Sequence, residues 1–272
     1  MNDSNRRSFG CALITGASSG LGEEYARQLA GGAGGTRAQH LVLVARREEK
    51  LQNLAGQLRK EGVEVTVIAA DLTKPAERER LVQELAAADL QPDLLVNNAG
   101  LGDYGEFQSA EWEKLRAMLQ VNIEALTHLT FALLPGLKTQ KGAVVNVSSL
   151  ASTLPIPDFA VYAATKAYVS SFSEALRIEL KEHGVTVLAV CPGPVHTGFG
   201  EVAMRDGRTA IPSAKAFYVK KQQVVAETWS ALQKQRARLY PGAKVAIAAA
   251  LIGALPLVAV RVAMGFRPRR DG

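Results

Sequence analysis

Short apolar runs rich in β-branched residues recur along this chain: CALITG (11–16), HLVLVAR (40–46), EVTVIAAD (64–71), DLLVNNAG (93–100), AVVNVSS (143–149) and VTVLAVCPG (185–193). Nearly continuous apolar character suits strands covered on both faces, which is the condition of a parallel sheet. Between them lie amphipathic stretches near 20–31, 47–61, 75–88, 110–134 and 159–183 that read as helices. Parallel strands need crossovers, and strand–helix alternation makes those crossovers right-handed and the sheet doubly wound. The glycine-rich GGAGGT (31–36) reads as a flexible loop, because no strand precedes it. After residue 193 the rhythm breaks. The Gly- and Pro-punctuated stretch 194–218 is expected to form a lid over a site, followed by a helix near 219–235 and a short last strand in 237–242. Residues 1–242 therefore read as one catalytic domain and 243–272 as a C-terminal extension.

Composition narrows the function. The chain has 272 residues, 47% hydrophobic and 21% charged, which is ordinary for a globular α/β protein. Its net charge of +6 is spread along the chain, apart from the terminal RPRR (267–270), so nucleic acid is not an expected partner. Cys11 and Cys191 lie inside strand-like runs and read as buried thiols in a reducing, cytoplasmic setting. No secretory leader is visible at the start. The four histidines form no ligand-like cluster, so no metal is expected.

TGASSGLG (15–22) follows the first strand and opens a helix. Gly16, Gly20 and Gly22, with Ser18, Ser19 and Leu21 among them, let the backbone turn tightly against a pyrophosphate held at the helix N-terminus. A dinucleotide also needs its adenosine ribose held at the end of the second strand. There the chain has Arg46 and Arg47 and no carboxylate, which suits a 2′-phosphate, so NADP(H) is preferred over NAD(H). Arg46 carries that expectation, while Arg47 reads as the start of a solvated helix face. Asp71, with Leu72 in AADLT, either accepts from the adenine amino group or caps the next helix.

The spacing Tyr-x-x-x-Lys occurs twice, in YAATK (162–166) and YPGAK (240–244). In the first, Tyr162 and Lys166 share one face of an amphipathic helix. An ammonium beside a phenol favours the phenolate, and a drop of roughly 3 units in its pKa corresponds to about 4 kcal/mol. That would bring the tyrosine into range for acid–base work. In the second, Pro241 and Gly242 break the helix, so the pair need not share a face. Ser149 ends the preceding strand and points to the ligand crevice, where its hydroxyl could hold a carbonyl oxygen. Asn122, a polar residue in an apolar helix, is either a satisfied core amide or the anchor of a water touching Lys166.

With these residues in place the chain resembles the short-chain dehydrogenase/reductase family, in its compact single-domain branch. TGASSGLG, NNAG (97–100), Asn122, Ser149, YAATK and CPGPVHT (191–197) follow in the family's order over residues 9–200. The resemblance implies a Rossmann-type sheet of about seven strands. It implies Tyr162 as acid/base, Ser149 orienting the carbonyl, Lys166 lowering the tyrosine pKa and binding the nicotinamide ribose, and Asn122 in a water relay. It also implies Asn98, Ala99 and Gly100 beside the cofactor, and Pro192, Gly193, Val195 and Thr197 near the carboxamide. Family NADP members often carry a basic residue inside the glycine turn, where this chain has Ser18 and Ser19, so the NADP expectation rests on Arg46. Homodimers or homotetramers joined through the helices near 110–134 and 159–183 are further implied.

Leu150, Ile156, Phe159 and Phe199 are expected to line a pocket for a small apolar carbonyl or alcohol. The expected reaction is NADP(H)-dependent interconversion of a carbonyl and a secondary alcohol. The alternatives are an NAD-dependent alcohol or hydroxysteroid dehydrogenase working oxidatively and a non-catalytic NADP-binding regulator. The tail KVAIAAALIGALPLVAVRVAMGFRPRR (244–270) has an uninterrupted apolar run of sixteen residues, Val245–Val260, that contains Pro256, is followed by Arg261 and is shorter than the ~20 residues of a span. Three readings stand: helices packed on the protein or on another subunit, a peripheral membrane surface with RPRR at anionic headgroups, or a membrane span.

Overall fold

In the computed structural model, which describes residues 7–205 and 217–265, seven parallel strands form one sheet in the order β3-β2-β1-β4-β5-β6-β7. They are β1 (Arg7–Thr15), β2 (Thr36–Ala45), β3 (Glu64–Ala69), β4 (Leu94–Asn97), β5 (Ala143–Val147), β6 (Thr186–Val190) and β7 (Arg238–Leu239). The centre of the expected lid, 206–216, and the terminal RPRR lie outside the described residues.

Side-chain alternation along the strands builds the two covering layers. Ile14, Leu41 and Leu43 meet Tyr25, Leu29, Leu51 and Trp229 on one face, from α1 (Gly20–Gly31), α2 (Glu48–Arg59) and α8 (Lys221–Gln233). Leu13, Val42, Val44 and Leu95 meet Leu81, Leu129, Leu133 and Leu176 on the other, from α3 (Pro75–Ala87), α5 (Leu126–Thr139) and α6 (Ala160–Glu179). The edge-on contact of Tyr25 with Trp229, 5.3 Å between centroids, ties α1 to α8.

Three element boundaries differ from the sequence expectation. The first strand starts at Arg7, where Phe9 is buried and its neighbours Ser8 and Gly10 are exposed, because only one face of this end is covered. Its partner β2 starts at Thr36, directly from the glycine loop, in the pairing Arg7↔Thr36. The helix expected to end near 134 runs on to Thr139 through Pro135. Pro135 and Phe131 both lie on the exposed side, so the carbonyl deprived of its amide partner faces water.

That helix is built from α4 (Trp112–Leu119), a π-helical segment Gln120–Ala125 and α5. By length and composition Trp112–Thr139 is apolar enough to cross a membrane. Here Leu129, Leu133 and Leu137 cover the sheet, while Met118 packs in the cluster that holds Phe159 and Tyr162. Strand order reverses between β1 and β4, so the crevice for a ligand opens beyond their carboxyl ends.

Candidate active site

The turn after β1 is shaped by glycine where nothing else fits. Gly16 has φ +67°, and a Cβ there would lie 2.9 Å from the Cα of Ala99. A Cβ on Gly22 would lie 2.3 Å from the Gly16 carbonyl oxygen, so the first turn of α1 packs directly on the loop. Asn98 braces the turn from β4, its Nδ2 donating to the Thr15 carbonyl at 2.9 Å.

A cavity of about 820 Å³ runs from this turn to the start of α6, within the range of small-molecule sites, ~300–1,000 Å³. Its walls include every residue singled out above for cofactor or substrate except Gly22. Gly22 is buried beneath the turn and serves its packing. Asn122 also lies behind the wall.

At the adenosine end stand Arg46, Arg47 and Lys50. Arg47 does not merely begin a solvated helix face. Its Nη2 donates to Ser18 Oγ at 2.9 Å and to Ser19 Oγ at 2.8 Å, which swings the guanidinium over the glycine turn. A basic group thus reaches the turn from β2 instead of from within it. Asp71 does not cap α3. Its Oδ1 accepts from the backbone amide and hydroxyl of Thr73, closing a local turn at the cavity wall.

At the other end Tyr162 and Lys166 lie one turn apart on α6, both buried. Tyr162 is stacked on Phe159, with centroids 4.1 Å apart, and tilted against Phe199 at 5.4 Å. Phe199 comes from α7 (Phe199–Ala203), part of the lid that lies within the described residues. The Lys166 ammonium donates to the Val147 carbonyl at 2.9 Å and sits 5.7 Å from the centre of the phenol ring. YPGAK behaves as expected of a broken helix: Tyr240 precedes α9 (Ala243–Ala254) and accepts from Arg238, while Lys244 is exposed.

The electrostatics correct one expectation. Burial pushes the Tyr162 phenol up to about 12, and its hydrogen bond with the Ser149 hydroxyl pulls the other way. Burial also brings the Lys166 ammonium down to about 8, against the opposing pull of Cys191. In the protein alone, desolvation of the phenol outweighs the Ser149 hydrogen bond, while one of the three Lys166 ammonium protons goes to the Val147 carbonyl. The phenol is therefore held neutral.

Asn122 is a satisfied amide. Its Oδ1 accepts from Leu101 N at 2.8 Å, and its Nδ2 donates to Leu101 O and Thr165 Oγ1. It stands in the π-helical segment, an irregularity that often marks functional sites. The space left by the missing Cβ of Gly100 is flanked by Lys166 Nζ at 3.4 Å and Asn122 Oδ1 at 3.5 Å. Sequence reasoning missed Tyr104, which lines the cavity and meets Phe159 edge-on at 5.6 Å. It also missed a buried polar layer beneath the site, in which Asn97 donates to Asn146 and Asn146 to Ser173. Asn146 interrupts the apolar run AVVNVSS, which was the available signal.

The residues fit a dinucleotide: a tight glycine cradle at a helix N-terminus, cations at the end of β2, and a cavity long enough to join them to Tyr162. A doubly wound sheet with this lining at its switch point defines a nucleotide-dependent oxidoreductase class. Residues 10–206 match the short chain dehydrogenase family. The chain belongs to the short-chain dehydrogenase/reductase family, oxidoreductases that act on alcohol and carbonyl groups with NAD(P).

It is 35% identical over 200 residues to a very-long-chain 3-oxoacyl-CoA reductase of Anas platyrhynchos, covering 71% of this chain and 62% of that protein. The chain spans about half to three-fifths of the length of curated relatives it matches. Among solved structures it resembles a short-chain dehydrogenase of Sphingobium yanoikuyae in complex with NADPH, with TM-score 0.78, 30% identity and coverage of 97% and 98% of the two chains. It also resembles a 3-ketoacyl-(acyl-carrier-protein) reductase of Brucella melitensis complexed with NADH, with TM-score 0.70, 28% identity and coverage of 85% and 96%.

Proposed function

We propose that this protein reduces apolar carbonyl compounds to secondary alcohols with NADPH, using Tyr162 as the proton donor. The observation that carries the reading is the joining of Arg46 and Arg47 to Ser149, Tyr162 and Lys166 along one cavity wall. A bound nicotinamide supplies the hydride. The chain's own residues do the rest. The glycine turn offers backbone N–H groups to the pyrophosphate, and Arg46 and Arg47 answer a 2′-phosphate. Asp71 and Leu72 would hold the adenine, and Asn98, Ala99 and Gly100 with Lys166 the ribose. Pro192, Gly193, Val195 and Thr197 would hold the carboxamide.

Ser149 Oγ holds the carbonyl oxygen and Tyr162 Oη gives it a proton. A phenol kept neutral by burial starts in the protonated form that reduction requires. The phenolate left behind is stabilised by Ser149 and by the Lys166 cation, which is still largely protonated at neutral pH. Asn122 fixes the Leu101 backbone and offers Oδ1 toward the Gly100 space, where a water would complete a proton path. An apolar substrate is supported by Leu150, Ile156, Phe159 and Phe199 at the catalytic end, with Val202 and Tyr218 from the described ends of the expected lid also on the cavity wall. Likeness over 62% of its length to a very-long-chain 3-oxoacyl-CoA reductase also favours it. Exposed Phe131 on α5 and Ile178 on α6 suit a homodimer or homotetramer joined through these helices.

The test is consumption of NADPH and NADH against a panel of aldehydes, 3-oxoacyl thioesters, steroids and diketones. The reading expects turnover of an apolar member with a preference for NADPH. Replacing both Arg46 and Arg47 by Asp removes charged hydrogen bonds worth about 1.5–3 kcal/mol each, so KM for NADPH should rise by roughly tenfold or more. A wild type that prefers NADH would defeat the cofactor assignment, and no turnover across the panel would defeat the reductase reading.

A further inference from the structure

We propose that α9 and α10 (Leu257–Gly265) form a hairpin that lies on an anionic membrane surface. Val245, Ala249 and Val260 are buried, whereas Ile247, Leu251, Leu255, Val258 and Val262 are each more than half exposed. Two apolar helices with this much bare aliphatic surface need a cover.

Over its described residues, neither helix is long enough to span a bilayer. α9 has 12 residues and is ~18 Å long, while a hydrocarbon core is ~30 Å thick. α9 ends at Ala254 and Leu255 is extended ahead of Pro256, so the two helices are not continuous. Charge selects the partner. From Ala243 to Arg270 the sequence carries five Lys and Arg and no carboxylate. Lys244 is exposed at the start of α9. A second copy pairing through the same face would set this acid-free segment against itself. Anionic headgroups neutralise it, with aliphatic side chains entering the acyl boundary.

The seat of the hairpin matters. α9 packs on the 3-10 turn Leu150–Thr153, and Val245 fills the space beside Gly193, 2.9 Å from where its Cβ would be. Leu150 and Gly193 line the catalytic cavity. A docked hairpin therefore borders the cavity rim with lipid, so apolar substrates enter from the bilayer; this consequence rests on the carbonyl reading above.

The test floats the full-length protein with phosphatidylcholine vesicles, with and without about 30 mol% phosphatidylserine. The wild type is expected to float with the anionic vesicles and to be weakened by salt. Leu251→Asp with Val258→Asp should lower vesicle affinity by at least about tenfold while leaving turnover of a water-soluble ketone unchanged. If that variant loses its fold, amide exchange of the wild type decides: anionic vesicles slow exchange across Ala243–Gly265, or the proposal fails. It also fails if the wild type does not float, if the variant floats equally well, or if light scattering shows a dimer that the substitutions dissolve without any vesicle binding. Vesicle failure with intact ketone turnover sinks this inference alone. Absent turnover with vesicle binding sinks only the carbonyl reading.

Discussion

At the scale of single residues, the site is governed by burial as much as by charge. Lys166 is taken out of water and held by one backbone carbonyl, so its folded pKa, about 8, lies below its ordinary 10.5. Between those values the unfolded chain binds a proton that the folded chain does not, so stability rises with pH across that window. Urea unfolding of the cofactor-free enzyme from pH 8 to 10 should show wild type gaining about 2 kcal/mol relative to Lys166→Met. Parallel curves for the two proteins would contradict the assignment. The identity of the pair was legible in the sequence, because one of two Tyr-x-x-x-Lys spacings sits in an unbroken helix. Its electrostatics were not, since spacing says nothing of desolvation. Arg47 does open α2 exposed to solvent, but its hydrogen bonds to Ser18 and Ser19 could not be read until the loop was placed beside it.

At the scale of elements, the contact between β1, the glycine turn and α1 sets the cofactor end. Gly22 has no room for a methyl group, with the Gly16 carbonyl oxygen 2.3 Å from the Cβ position. Gly22→Ala should force the first turn of α1 off the loop, costing about 1–3 kcal/mol and weakening NADPH binding, as read by thermal melts with and without NADPH. An alanine variant with the wild-type melt and the wild-type NADPH-induced shift would show that this packing is slack. The strands and helices were largely legible because continuous apolar runs and 3.6-residue periodicity are local signals. The boundaries that escaped were decided by tertiary context. Thr36 joins β2 only because Arg7 extends β1 beside it, and Pro135 stays in α5 because its missing hydrogen bond faces water.

At the scale of the whole molecule, one sheet brings together groups far apart in sequence. The end of β2 supplies Arg46, the end of β5 supplies Ser149, α6 supplies Tyr162 and the lid supplies Phe199. Sequence order and motif spacing made most of this assembly readable. The aromatic enclosure of Tyr162 by Phe159 and Phe199, and the approach of Tyr104, emerged only from packing. Exposed Phe131 on α5 and Ile178 on α6 put the proposed assembly within reach of a test. Phe131→Glu with Ile178→Glu should shift the mass in light scattering toward the monomer, and an unchanged mass would place any interface elsewhere. The central claim is that a neutral, buried phenol beside a dinucleotide site passes the proton. The most direct measurement is NADPH oxidation and NADPH affinity in Tyr162→Phe. The account predicts turnover reduced by roughly 10²-fold or more with affinity kept within a few-fold; turnover close to wild type would contradict it.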